Sequence, residues 1–292
     1  SRVILQALGV EDYGINSVIA GFLSMFGIIT SSMSSAISRF ITVELGKGEL
    51  SRLKQVFSTS ISVQLFMGIL ETFGMWFVNT KMQIPEGREV AAQWCLHCAT
   101  ITTFISLMNI PFHSAIIAHE KMSAFAYMTI VDALLKLAIC YAIYISPFDK
   151  LITYSILGVI VSIITTSIYW IYCLRNFEET SFNFRFNKKL FKEMWGFAGW
   201  NLFAQTAWIL NTQGINMLMN IFFGVIVNAA RGVAVQVNGI IQNFVNNFMI
   251  ALNPQITKSY AIGDKDTAFK LACRGCRFSF YIMFVLALPI GY

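Results

Sequence analysis

Residues 227–253 read VNAARGVAVQVNGIIQNFVNNFMIALN. At 100° per residue, Asn228, Arg231, Asn238, Gln242, Asn246 and Asn253 fall within an arc of about 80°. Gln236, Asn243 and Asn247 broaden that stripe, and the rest of the run is apolar. A charged side chain facing lipid at bilayer depth costs at least about 2.5–3.5 kcal/mol. The stripe must therefore face a wet cavity or other polar helices. Interhelical hydrogen-bond glue needs only one or two amides. This many amides plus an arginine point to a cavity.

Neighbouring segments carry matching faces. In residues 195–222, Asn201, Gln205, Thr212 and Asn216 share one side of a helix. In residues 14–43, Ser17, Ser24, Ser31, Ser35 and Ser38 align with Gly21, and Gly27 sits at the edge of the stripe. A small-residue stripe serves close helix packing or a cavity wall, and both remain open for the serines. Asp132 and Lys136 are one helical turn apart, with Thr129 on the same side. An acid four residues before a base can pair directly. The pair is either a self-neutralising strut or a gate or ion-coupling site. Glu71 lies about 10–12 Å from the outer end of its segment at 1.5 Å per residue and is expected to snorkel. Pro111 and Pro254 mark kinks or helix ends.

The whole chain fits this setting. Of 292 residues, 56% are hydrophobic and 12% charged, against about 25% charged in soluble domains. Mean hydropathy is +0.63. Disorder, a secreted disulfide scaffold and an ordinary soluble enzyme are excluded, leaving an all-α polytopic membrane protein. Eight segments are predicted to cross about 30 Å of hydrocarbon: residues 14–43, 53–78, 90–117, 124–145, 151–174, 195–222, 225–260 and 268–292. None shows the strict alternation of barrel strands. Most cations fall in alternate loops and their flanks. One side holds Arg39, Lys47, Arg52, Lys54, Lys121, Arg175, Arg185, Lys188, Lys189, Lys192, Lys258, Lys265, Lys270, Arg274 and Arg277. The other holds Arg2, Lys81, Arg88 and Lys150. The first side is predicted to be cytoplasmic. The net charge of +6 thus reflects membrane orientation, not affinity for nucleic acid. Residues 14–43 then start outside, so a further helix is expected before Ser1, and the chain reads as an internal piece of a longer protein.

The sequence also repeats. Leu8-Gly9-Val10 and Phe223-Gly224-Val225 each open a long helix that runs into Ile-Thr, Ile41-Thr42 and Ile256-Thr257. A charged turn follows, beginning at Gly46 in one copy and Gly263 in the other. The spacing predicts a parallel repeat about an axis normal to the membrane. Residues 1–176 form the expected first lobe, 177–194 a cytoplasmic linker with an interfacial amphipathic helix, and 195–292 the start of a second lobe. Two C-x-x-C pairs, Cys95/Cys98 and Cys273/Cys276, fall at opposite membrane faces and cannot share an ion. Asp264-Lys265-Asp266 is expected to be a turn and N-cap. No metal site, cofactor loop or catalytic motif stands out.

Several stretches carry a family resemblance: Met194-Trp-Gly-Phe-Ala-Gly-Trp-Asn-Leu-Phe203, Gln213-Gly-Ile-Asn216, Asn220-Ile-Phe-Phe-Gly224, Val227-Asn-Ala-Ala-Arg-Gly-Val-Ala234 and Asn253-Pro-Gln-Ile-Thr-Lys-Ser-Tyr-Ala261. Leu5-Gln-Ala-Leu-Gly-Val-Glu-Asp-Tyr-Gly14 and Ser38-Arg-Phe-Ile-Thr42 fit as well. The chain resembles bacterial polysaccharide-export proteins related to O-antigen (Wzx-type) flippases. These belong to the superfamily of multidrug, oligosaccharidyl-lipid and polysaccharide exporters, with a MATE-like fold. The resemblance implies twelve to fourteen helices in two pseudo-symmetric lobes, a bacterial inner-membrane location and a lipid-linked oligosaccharide substrate. It also implies glycan polymerases or glycosyltransferases, as in lipopolysaccharide assembly, as partners. On this basis Arg231, Asn228, Asn238, Gln242, Asn246, Asn201, Gln205 and Asn216 are candidate substrate contacts. Asp132 and Lys136 are candidates for gating or ion coupling, and no cofactor is expected. The alternatives are a cation-coupled multidrug antiporter of the same fold and a membrane glycan polymerase or ligase. The amide-and-arginine stripe disfavours the first, and the short outer loops disfavour the second.

Cysteine labelling of whole cells checks the orientation. In a Cys-free background, Lys150→Cys reacts with an impermeant thiol reagent and Lys188→Cys does not. The reverse pattern would refute the charge-based topology.

Overall fold

The computed structural model describes residues 9–79, 88–145, 149–180 and 187–290. Seven long helices run in order: α1 (Val10–Lys47), α2 (Leu50–Asn79), α3 (Glu89–Ala118), α4 (Met122–Ile145), α5 (Lys150–Asn176), α6 (Lys188–Ala261) and α7 (Lys265–Ala287). Short 3₁₀ turns cover Glu178–Thr180 and Leu288–Ile290. No strand occurs among the described residues. α6 breaks at Gly224, whose φ of 77° and ψ of −179° are not helical. Its two arms correspond to the predicted segments 195–222 and 225–260, so each of the eight segments is helical over most or all of its length. The alternating aromatic stretch 181–186 and the motif residues 5–8 lie outside the described residues.

Polar caps set several boundaries. The Asp149 carboxylate accepts from the amides of Leu151 and Ile152, opening α5. Asn187 does the same for Lys189 and Leu190 at the start of α6. Asp264 caps α7 through the Thr267 amide, as expected of its turn. Hydrogen bonds from Thr267 hold the Asp264 carboxyl below the usual carboxylate range. Pro111 and Pro254 both lie inside helices rather than ending them.

The backbone sharpens the repeat. Gly9, before α1, has φ 86° and ψ 173°, close to Gly224. Both occupy a region that side-chain-bearing residues essentially never enter. The helices that follow end on a second left-handed glycine, Gly48 (φ 76°) and Gly263 (φ 87°). Gly48 N–H donates to Leu45 O at 3.2 Å, and Gly263 N–H donates to Tyr260 O at 3.1 Å. Gly48, not Gly46, is thus the counterpart of Gly263, and the glycine pairs are 39 residues apart in both copies. The sequence match failed because two glycines lie in one short turn. Gly46 has a different role, described below.

Fewer helices than eight are apolar enough to be recognised as spans. Among the described residues α2, α3, α4 and α5 qualify, and α1 qualifies as a pair of segments bent by 45° around residue 25. The amides of α6, and Lys265, Asp266, Lys270, Arg274 and Arg277 on α7, lower the hydropathy of the remaining segments. Length is not the obstacle, since the 30-residue stretch 194–223 spans about 45 Å at 1.5 Å per residue.

Among the described residues the core has two main levels, with a smaller cluster of Ile139, Ile143 and Val161 between α4 and α5. At the basic end, Ile37, Ile41, Phe57, Phe112, Ile116 and Cys173 bury together with Leu190, Met194 and Ala198 of α6. The apolar face at the start of α6 therefore rests on protein, with Lys188, Lys189 and Lys192 exposed. At the opposite end, Ile15, Ile19, Met75, Ala92, Leu96 and Leu151 pack. Glu71 does not snorkel. It is 3% exposed, and its Oε1 has no partner among the described residues. It shares the inner face of α2 with Gln64 and Gly68, and a Cβ on Gly68 would stand 2.5 Å from the Phe104 ring of α3. That face turns into the bundle, out of reach of the membrane surface.

Gly224→Ala is expected to lower stability by about 1–3 kcal/mol, because the side chain meets a forbidden backbone region. Gly214→Ala, in open space on the same helix, is the control. Equal thermal unfolding midpoints of the two variants in detergent would refute the conformational requirement.

Candidate functional site

α1 and the first arm of α6 lie against one another in opposite directions, forming a polar seam. Ser31 Oγ donates to Gln205 Oε1 at 2.7 Å. One turn away, Asn201 Nδ2 donates to Ser35 Oγ at 3.4 Å. The next level is aromatic: Phe40 meets Phe197 edge-on at 6.4 Å. The Arg39 guanidinium lies 4.4 Å from the Phe197 ring centre. At the last level a Cβ on Gly46 would stand 3.1 Å from Lys258 Cα and 3.3 Å from Ala261 Cβ. Lys258 Nζ donates to Glu120 Oε1 at 2.7 Å. The serine stripe of α1 and the amides of α6 thus meet, and the seam is shut at the basic end.

The remaining α6 candidates lie beyond this contact. Asn216 Nδ2 donates only to Gln213 Oε1, at 3.3 Å on its own helix. Arg231 is partly buried. Its Nη1 is enclosed with no hydrogen-bond partner, and no acid pairs with it among the described residues. Asn238 and Asn246 are exposed and Gln242 partly buried. None of the three reaches an α1 side chain among the described residues. The Asn228 side chain lies outside the described residues.

Asp132 and Lys136 are paired, with Nζ donating to Oδ2 at 2.7 Å, but they stand elsewhere. They line a cavity of about 580 Å³ inside the α1–α5 bundle, with Asn16, Asn109, Tyr154 and Tyr169 and several Ser and Thr hydroxyls. No α6 residue lines it. α4 packs mainly on α5 and α3, so among the described residues the pair stands apart from the α6 amides.

Three charged arrangements escaped the sequence. Glu44, 3% exposed, is bound by Lys47 at 3.5 Å and Arg52 at 3.4 Å. Arg88 donates to both Asp12 and Asp149, tying α1, α3 and α5 at the opposite end. The third is the Glu120–Lys258 pair. Each involves at least one partner from another helix or turn, which no local spacing announces. Among the described residues no three His, Cys, Asp or Glu side chains are placed to hold a metal ion.

Comparison with known proteins agrees with this architecture. A family model described as polysaccharide biosynthesis protein matches residues 2–260. An uncharacterized membrane protein, EpsK, of Bacillus subtilis strain 168 is 16% identical over 99% of this chain and 58% of its own length. The chain therefore spans little more than half of that relative. A crystal structure of a MATE mutant superposes with a TM-score of 0.77 at 12% identity, covering 98% of this chain and 65% of the other. An outward-facing MATE family multidrug resistance transporter of the MOP superfamily gives 0.71 at 14% identity, covering 99% and 67%. The fold is that of MATE transporters, and the protein is a multi-pass membrane protein.

Asp132→Asn leaves Lys136 without its counterion within a membrane-spanning helix, so membrane abundance should fall. Asp132→Asn combined with Lys136→Met removes both charges and should restore it. Quantitative immunoblotting of membranes checks this, and a double variant as depleted as the single one would refute mutual neutralisation.

Proposed function

The chain belongs to the polysaccharide biosynthesis protein family, and we propose that it is the translocating part of a flippase. Its cargo would be an isoprenoid-diphosphate-linked oligosaccharide, moved from the cytoplasmic to the outer leaflet of the bacterial inner membrane by alternating access. The observation that carries this is Arg231. A guanidinium with an enclosed, unpartnered Nη1 stands on the helix face that carries Asn238, Gln242 and Asn246, and no acid offsets it among the described residues. An anionic ligand satisfies it: the planar fork suits phosphate oxygens.

The seam supports the rest. Asn238, Gln242 and Asn246 would exchange hydrogen bonds with sugar hydroxyls as water leaves. Asn201, Gln205 and Asn216 continue the polar path along the first arm of α6. The lipid tail would remain in the bilayer. With the basic end cytoplasmic, the tight contacts of the seam lie on the inner side, and rocking of the two lobes would open it there. Asp132 and Lys136, in their own cavity, would serve gating or ion coupling rather than cargo contact. Glycan polymerases or glycosyltransferases are the proposed partners. A drug antiporter of the same fold would call for an acidic aromatic pocket on the seam, and the seam carries amides instead.

Arg231→Gln should abolish surface glycan in a flippase-null strain while membrane abundance stays normal. Arg231→Lys should retain partial export, since a point charge attracts phosphate without the bidentate fork. Wild-type export by Arg231→Gln at normal abundance would remove the diphosphate-binding role.

A further inference from the structure

Glu120 is the one non-glycine residue with a positive φ, 58°, among the described residues. Left-handed backbone is uncommon for a residue other than Gly, Asn or Asp. It closes α3 in a Schellman turn, Glu120 N–H donating to Ile117 O at 2.9 Å, which leaves its side chain free to reach elsewhere. The turn itself is fastened from both sides. Lys121 N–H donates to Ile116 O at 3.1 Å. The His119 ring stacks on Phe177 at 4.1 Å, and its Nε2 meets Glu179. Held this way, Glu120 reaches out of the α1–α5 bundle to Lys258, 138 residues later.

Lys258 is also where Gly46 lies closest. Its Cα would sit 3.1 Å from a Cβ at Gly46, so a side chain there would crowd the Lys258 backbone and ease α1 off α6 by a few tenths of an ångström. Gly48, and not Gly46, closes α1, which leaves close approach as the role of Gly46. Two separate parts of the α1–α5 bundle thus converge on one residue of α6. Among the described residues, Glu120–Lys258 is the one ion pair joining α6 to that bundle. Its side chains are 33% and 24% exposed, so the pair is wet enough to separate.

We propose that Glu120, Lys258 and Gly46 form a breakable latch that holds the basic end of the seam shut. Opening that end requires the ion pair to part and Gly46 to leave the Lys258 backbone. The inference rests on the alternating-access reading, but its test needs no cargo. The full chain carries a reporter, Ser35→Cys on the seam, in a Cys-free background, and is labelled with an impermeant maleimide in inside-out vesicles. Glu120→Asn removes the charge with a residue that tolerates the left-handed backbone, and Lys258→Met removes the other partner. Each should raise reporter labelling about three- to tenfold, the scale expected of a partly exposed pair. Glu120→Lys combined with Lys258→Glu should return it toward the parent rate. Gly46→Cys with Ala261→Cys supplies the opposite arm. Their Cβ atoms fall near disulfide range, about 3.5–4.5 Å, and oxidation should reduce labelling below the parent until a reductant is added.

Unchanged labelling in both single-charge variants would overturn the latch. So would a charge swap that labels as fast as the single variants, since the effect would then be local to each residue. Loss of the latch with Arg231-dependent export intact leaves the flippase reading standing. A working latch without glycan export in the wild-type chain leaves the latch standing and removes the cargo.

Discussion

Hydrocarbon cannot hydrogen-bond a side-chain amide, and the arrangement of α1 against α6 follows from that constraint. α6 carries more amides than helix glue requires, and α1 carries a column of serines. Turned toward lipid, either face would be costly. Turned toward each other, they satisfy one another where the helices touch, at Ser31–Gln205 and Asn201–Ser35. The α6 and α7 segments accordingly look too polar to be spans while folding as helices of spanning length, and in the proposed transport cycle their polar faces would line the path of the cargo.

The contacts along the seam are graded. At the basic end they are tight, with a glycine against a lysine backbone and an ion pair beside it. In the middle they are single hydrogen bonds between short polar side chains. Beyond residue 205 the described side chains of α6 make no hydrogen bond to α1. The middle of the seam, held by hydrogen bonds that water can replace, separates at modest cost. Its basic end is greasier, because Leu190, Met194 and Ala198 of α6 bury there with α1, α2 and α3 side chains, and such a contact gives up more on opening. The opposite end of the α1–α5 bundle has an apolar cluster with no α6 residue among those described. In the proposed cycle the bundle would move as a body while the seam opens and closes.

Much of this was legible in sequence, and the failures have physical causes. Helix positions followed from hydrophobic length, and the Asp264 cap and the Asp132–Lys136 pair from spacing alone. Amphipathic faces were legible too, because a stripe is a property of one helix. What each stripe faces is a property of two, so spacing paired Asp132 with Lys136 but could not show that they line a cavity with Asn16, Asn109 and Tyr154. Glu71 looked like a snorkelling acid because depth can be counted from a helix end, but the side of the helix that meets α3 cannot. The repeat was matched at Gly46 when the backbone matches at Gly48, two glycines that sequence alone cannot tell apart.

That mismatch bears on how the two copies differ. The repeat supplies the same punctuation twice: a glycine before the helix in a region closed to other residues, and a left-handed glycine after it. Between these marks the copies diverge. The first has Gly46, and the second has Lys258 and Ala261 near the same level of the seam. At the equivalent positions Gly46 and Ala261 both copies are small, which lets them meet closely. The copies differ one turn back, where the first has Val43 and the second projects Lys258 toward a third element, the Glu120 turn. A pseudo-symmetric pair of helices thus closes tightly at one end and still carries a charge contact that water can break.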